Sequence, residues 1–191
     1  MASGPRFPLS RVEPFANGLV KLLAPSCERI LVAGSIRRQR PDIGDVEIVA
    51  IPRFEDSAEG MWGDVVRSNV LVRQIAQLTD EGLLEILSGG ERYIKARHLG
   101  LEIQVDVFMV VPPASWGLIL LIRTGPADYS QWLVTYARRQ GMHVIGGRLH
   151  NGLGIPGRED CACEVIPTPT EESVYEALGL PWVEPADRRV P

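Results

Sequence analysis

The chain has 191 residues, 45% of them apolar, and a formal net charge of −4; this length suits one compact domain, or one domain with a small appendage. No apolar run approaches the ~20 residues of a membrane-spanning helix, and Met1 to Pro8 shows no hydrophobic signal region, so a soluble cytoplasmic protein with no membrane partner is expected. Cys27, Cys161 and Cys163 are an odd set in a chain without an export signal, which argues against a disulfide framework, and the acidic balance argues against gripping a long stretch of nucleic acid.

In chain order, Ser10 to Leu23 carries Val12, Phe15, Leu19, Leu22 and Leu23 at helical spacing and is stopped by Pro25, which predicts an amphipathic helix. Arg29 to Val32 and Val46 to Ile51 are β-branched and apolar, the pattern of buried strands. A loop over 53–63 then leads to a helix over 64–78, with Leu71, Ile75 and Leu78 as its core stripe. Residues 83–87, 92–97 and 101–111 switch to period two and predict strands. Beyond Pro112-Pro113, helices are predicted over 114–123 and 128–140, the second capped by Asp128 and closed by Gly141. Short strands follow over 142–145 and 148–150. Thr168-Pro-Thr-Glu171 has capping-box spacing with proline at the first helical position, so a last helix should run to Leu178.

The segment between the first two strands carries the chemistry. Side chains alternate across a strand, so Asp45 and Glu47 share a face, and two carboxylates that close call for a cation. Asp106 interrupts an otherwise apolar strand, and if that strand neighbours Asp45 and Glu47, three carboxylates converge. Hard oxygen donors select magnesium or manganese, and such a set can hold two ions; solvated acids on an open sheet face are the competing reading. Gly34-Ser35 forms a turn between a strand and a short helix, where backbone N–H groups favour a phosphate. Arg37 and Arg38 could neutralise phosphate oxygens or stand as solvated charges. Arginines also gather at Arg29 and Arg40 and at Arg138, Arg139 and Arg148, which would give local positive patches and weak, salt-sensitive binding. Lys95 and Arg97 could touch a template backbone or cap a solvated edge, and Trp116, Trp132 and Trp182 suit core positions better than base stacking. Cys161 and Cys163 with His143 and His150 fit no common zinc spacing.

Taken together, Gly34-Ser35-Ile-Arg-Arg38, Gly44-Asp45-Val-Glu47, Gln104-Val-Asp106, Trp116-Gly117 and Thr124-Gly125 resemble the palm of family X DNA polymerases, the group of DNA polymerase beta. Tyr136-Ala137 with Gly141, Thr170-Glu171-Glu172, Ala177-Leu-Gly-Leu-Pro-Trp182 and Glu184-Pro185-Ala-Asp-Arg188 resemble that family's thumb.

The resemblance implies an α/β, or α+β, palm over residues 10–112 with a mixed or antiparallel sheet and packed helices. A small α+β thumb over 113–191 would follow, and residues 1–9 would be frayed. It also implies a monomer that extends the 3′-end of primer-template or gapped DNA from nucleoside triphosphates, with pyrophosphate release and two Mg2+ (or Mn2+) per site. On that resemblance Asp45 and Glu47 would bind both metals and Asp106 the catalytic one. Gly34, Ser35, Arg38 and Gly44 would contact the triphosphate, and Gly125 would lie near the sugar. With few residues ahead of Gly34, no lyase domain is expected.

Five positions depart from the family pattern. Glu47 stands for the second aspartate, which could shift a metal or relax the preference toward manganese; Ile122-Arg123 stand for an aromatic pair under the sugar, which leaves sugar choice open; and Gln104 stands for an arginine and Ser130 for an asparagine, which predicts loose base selection. A template-independent nucleotidyltransferase acting on RNA, protein or a small molecule is the alternative, followed by a non-catalytic nucleic-acid-binding palm.

Overall fold

A computed structural model describes residues 5–59, 64–153 and 162–191. The chain divides into two compact units: Met1–Val32 with Pro41–Met109, and Ala33–Arg40 with Val110–Pro191. Both mix helix and strand, so the class is α+β as expected.

The first unit begins with β1 (Phe7–Pro8) and α1 (Leu9–Leu23), followed by β2 (Cys27–Val32). Phe7 and Pro8, inside the stretch expected to fray, pair antiparallel with β3 (Asp42–Ile43), and Arg6 forms an ion pair with Asp42. β4 (Asp45–Pro52) carries Asp45 and Glu47. Within the stretch expected as a loop, β5 (Phe54–Glu59) pairs antiparallel with β6 (Asp64–Asn69), which takes the start of the next expected helix. The helix, α3 in chain order after the short α2 (Gly34–Arg37) of the second unit, begins only at Val70 and runs to Asp80. Asn69 fixes that start: its side chain accepts the Leu71 and Val72 N–H groups at 3.0 and 3.2 Å, a cap worth about 1 kcal/mol. The predicted stripe of Leu71, Ile75 and Leu78 is buried.

β7 (Leu84–Gly89), β8 (Tyr93–His98) and β9 (Ile103–Met109) complete a five-stranded sheet in the order β2-β4-β9-β8-β7. β4 and β9 run parallel and the other neighbours antiparallel, the mixed sheet that was expected. Alternation sorts the two faces. Val46, Ile48 and Ala50 of β4, Val105 and Val107 of β9, and Ile94 and Ala96 of β8 are buried with Val12, Ala16 and Leu19 of α1 in the core. The intervening residues point to the opposite face.

The second unit starts with α2 (Gly34–Arg37) and continues with α4 (Trp116–Thr124) and α5 (Ala127–Arg139). Asp128 is not the cap of α5: Pro126 takes that place, and the Asp128 carboxylate accepts the Tyr129 N–H at 2.8 Å within the first turn. β10 (Met142–Ile145), β11 (Arg148–Asn151) and β12 (Val165–Ile166) form a small antiparallel sheet, and α6 (Glu171–Ala177) closes the unit. The core joins Leu118 and Leu121 of α4, Leu133 and Ala137 of α5, Leu149 of β11, and Val174 and Tyr175 of α6.

The last helix begins later than the Thr168-Pro169 signal implied. Thr168 gives its carbonyl to the Gly117 N–H at 3.0 Å, which keeps it extended beside α4. Thr170 is the cap instead, and its capping box closes on Ser173, with contacts of 3.2 Å in both directions. Trp116 is buried, whereas Trp182, taken as a core residue from sequence, is 37% exposed.

Candidate active site

The register of β4 on β9 sets Asp45 opposite Gln104 and Glu47 opposite Asp106. Neighbouring strands lie about 4.8 Å apart and alternate residues of one strand about 6.6 Å. Glu47 and Asp106 are therefore adjacent across the strands, and Asp45 stands one step along the same face. β8 adds Lys95 opposite Asp106 and Tyr93 opposite Phe108.

Asp106 is only 6% exposed, and both of its oxygens have donors. Oδ1 accepts the Tyr93 hydroxyl at 2.6 Å and Oδ2 the Gln104 amide at 2.7 Å. Such bonds offset the cost of burying a polar side chain. The Tyr93 ring is itself stacked on Phe108, with centroids 5.0 Å apart, so its hydroxyl is held in place. Asp45 and Glu47 are half-buried.

The donor set is all carboxylate and suits a hard divalent cation in kind. Among the described residues no three His, Cys, Asp or Glu side chains are gathered closely enough to hold a metal as they stand. The diagonal offset of Asp45 from Asp106 and the two hydrogen bonds that hold Asp106 to its own and the next strand are consistent with that spacing.

Of the residues expected at the triphosphate, Gly34, Ser35, Arg38 and Gly125 belong to the second unit and Gly44 to the first. Gly34 opens α2 with φ of +59°, a conformation that suits glycine. The Ser35 hydroxyl has no hydrogen-bond partner among the described residues. Arg38 and Gly125 are brought together. The Arg38 guanidinium donates to the Thr124 carbonyl, and a Cβ on Gly125 would lie 3.1 Å from it. Gly44 sits beside Arg6, whose guanidinium would be 3.2 Å from a Cβ there.

Arg37 has a different task. It donates to the Thr124 hydroxyl at 2.6 Å and grips both oxygens of Glu171 on α6. The fully buried Arg188 shares that carboxylate at 3.0 Å, so Arg37 and Arg188 are internal ties rather than phosphate ligands. Ser130, at the position where the family pattern has asparagine, donates to the Ile122 carbonyl at 2.9 Å and ties α5 to α4. Arg97 forms an exposed ion pair with Glu85 at 3.7 Å, worth at most about 1 kcal/mol. Cys161 lies outside the described residues.

Tyr93 is the site residue that the sequence did not disclose. Its strand reads as alternating, but only the pairing of β8 with β9 shows that its hydroxyl reaches Asp106.

Residues 119–189 match the family described as DNA polymerase beta thumb. Rat (Rattus norvegicus) DNA polymerase lambda is 30% identical over 172 residues, which are 83% of this chain and 28% of that protein; the chain thus spans under a third of that relative's length. Both the thumb match in the second unit and a likeness running through most of the chain lead to one assignment: the protein is a family X polymerase-like chain.

Proposed function

We propose that the chain is a DNA-directed DNA polymerase that adds nucleotides to a primer 3′-end at gaps or short primers. The observation that supports it most is the register that sets Glu47 beside Asp106 with Asp45 on the same face. Its substrates are primer-template or gapped DNA and nucleoside triphosphates, it acts as a monomer, and the thiol of its Cys27 suits a reducing compartment such as the cytoplasm.

In this reading Asp45 and Glu47 would hold two Mg2+ or Mn2+ ions, and Asp106 the one beside the primer hydroxyl. When bound, such ions neutralise phosphate charge and favour the deprotonated hydroxyl. Tyr93 and Gln104 keep the Asp106 carboxylate aimed before substrate arrives. The Gly34 backbone, Ser35, Arg38 and Gly44 bind the triphosphate, with Gly125 leaving room near the sugar. The 3′-oxygen joins the α-phosphorus as pyrophosphate leaves, so the protein's share is positioning and charge stabilisation.

Asp106→Asn should leave the circular dichroism spectrum intact and lower extension of a gapped duplex by more than about 100-fold, beyond what losing an outer partner of a metal ligand costs. Near wild-type turnover in that variant would sink the proposal. The acidic net charge of −4 favours a second reading, untemplated nucleotide transfer, which equal extension with and without a complementary strand would support.

A further inference from the structure

The open face of the five-stranded sheet carries a lysine that the carboxylate site leaves unused. β8 runs antiparallel to β9 and sets Lys95 directly opposite Asp106; side chains paired in this way leave the same face, with Cβ atoms about 4.5–5.5 Å apart. Opposite charges so placed ordinarily close a cross-strand ion pair. Here they do not. Both Asp106 oxygens are taken, by the Tyr93 hydroxyl and the Gln104 amide, and among the described residues half-buried Lys95 has no hydrogen-bond or ion-pair partner. Arg97, two residues along the same strand, is engaged by Glu85 of β7 at 3.7 Å. Of these two cations, Lys95 is the one left for an anion from outside.

The order of the strands says which anion that is. Asp45 and Glu47 of β4, with Gly44 just before them, lie on one side of Asp106, and Lys95 of β8 lies on the other. In phosphoryl transfer the attacking and leaving oxygens stand in line on opposite sides of the phosphorus. With the leaving oxygens toward β4, the attacking 3′-hydroxyl comes from the β8 side, and the strand that carries it extends over β8. The last phosphodiester of that strand then follows one nucleotide behind the hydroxyl at Asp106. A compact ammonium on a flexible stem suits such a contact.

On the polymerase reading, on which this rests, we infer that Lys95 binds the last phosphodiester of the primer strand and so holds the 3′-hydroxyl at Asp106. The contact is to the primer and not to the template, and its contribution is orientation of the attacking group.

The test compares wild type, Lys95→Gln and Lys95→Arg on a gapped duplex whose last primer phosphodiester is either native or a neutral methylphosphonate, and on a duplex with the methylphosphonate at the matching template step. Fluorescence anisotropy reads affinity, and extension is followed on the same duplexes with magnesium and nucleoside triphosphates. Lys95→Gln should bind the native duplex about tenfold more weakly, the size of one hydrogen bond to a charged group, and its plot of log affinity against log salt should be shallower by about 0.9. The primer methylphosphonate should cost wild type a similar factor and Lys95→Gln nothing further, while Lys95→Arg keeps most of the wild-type sensitivity. Equal sensitivity of wild type and Lys95→Gln to the primer methylphosphonate overturns the assignment, as does a Lys95 dependence that follows the template methylphosphonate instead. Both of those outcomes leave wild-type extension in place; a wild type that does not extend even the native duplex removes the polymerase reading, and the role of Lys95 with it. Should Lys95→Gln fail to fold, wild type decides alone, and unchanged affinity for the primer methylphosphonate overturns the assignment.

Discussion

Tyr93 contributes a single hydroxyl to the candidate site, and its ring is already anchored by Phe108. Tyr93→Phe therefore removes one hydrogen bond to Asp106 while keeping the stack. On the polymerase reading, kcat should fall about tenfold, the cost of losing an outer partner of a metal ligand, with the nucleotide KM nearly unchanged. Steady-state kinetics on a gapped duplex check this, and a rise in KM at constant kcat would move Tyr93 from positioning Asp106 to binding substrate. Burial pushes the Cys27 thiol up to about 11, so at neutral pH it should react with a maleimide far more slowly than an ordinary cysteine; fast labelling of Cys27 in the folded chain would contradict its placement.

At the scale of elements, the contact of α4 with the start of α6 depends on Gly117. A Cβ there would lie 2.0 Å from the Thr170 carbonyl oxygen, and the obstacle is backbone rather than a movable side chain. Gly117→Ala should destabilise the second unit by about 3 kcal/mol, at the upper end of overpacking costs, seen as a lower unfolding midpoint in urea. β8 gives a pH dependence. His98 accepts the Leu101 N–H at 3.0 Å and packs on Phe15, and burial lowers its pKa below the ordinary 6.5. The unfolded chain thus takes up the proton first, so this contribution is complete above about pH 6.5 and is lost as pH falls toward the lower folded value. Urea midpoints across that window should decline more in wild type than in His98→Gln.

Periodicity made the sheet strands and the α3 stripe of Leu71, Ile75 and Leu78 legible in advance. It failed at β5 and β6, because Val65 and Val66 beside a helical stripe read as its first turn until the Asn69 cap is seen. It failed again at Thr168 and Thr170, which offer the same capping chemistry, and Gly117 decides between them through space. Asp45 and Glu47 were legible as one face because alternation needs only one strand at a time, whereas Asp106 joins them only because its strand is the neighbour. That Glu47 rather than Asp45 lies opposite Asp106, and that Tyr93 reaches it, depends on strand register, which no local pattern encodes.

For the whole molecule, 20 basic residues stand against 24 acidic ones, and several arginines already serve carboxylates. Arg6 pairs with Asp42, Arg73 with Glu55, Arg97 with Glu85, and Arg37 and Arg188 with Glu171. With these five engaged and a net charge of −4, a plot of log affinity for gapped DNA against log salt should have a slope no steeper than about −5, at roughly −0.9 per neutralised phosphate. Fluorescence anisotropy over a salt series measures it, and a steeper slope would mean that more cations reach phosphate than this balance implies.

The parallel junction of β4 and β9 also bears on how the protein comes into being. β2 and β4 are close in sequence and can meet early, whereas β9 must be made and then added along the free edge of β4. Loop closure of that kind is slow relative to local pairing. On a ribosome, the edge that will receive Asp106 waits open while the intervening chain is synthesised, so the acidic face is among the last features the first unit acquires.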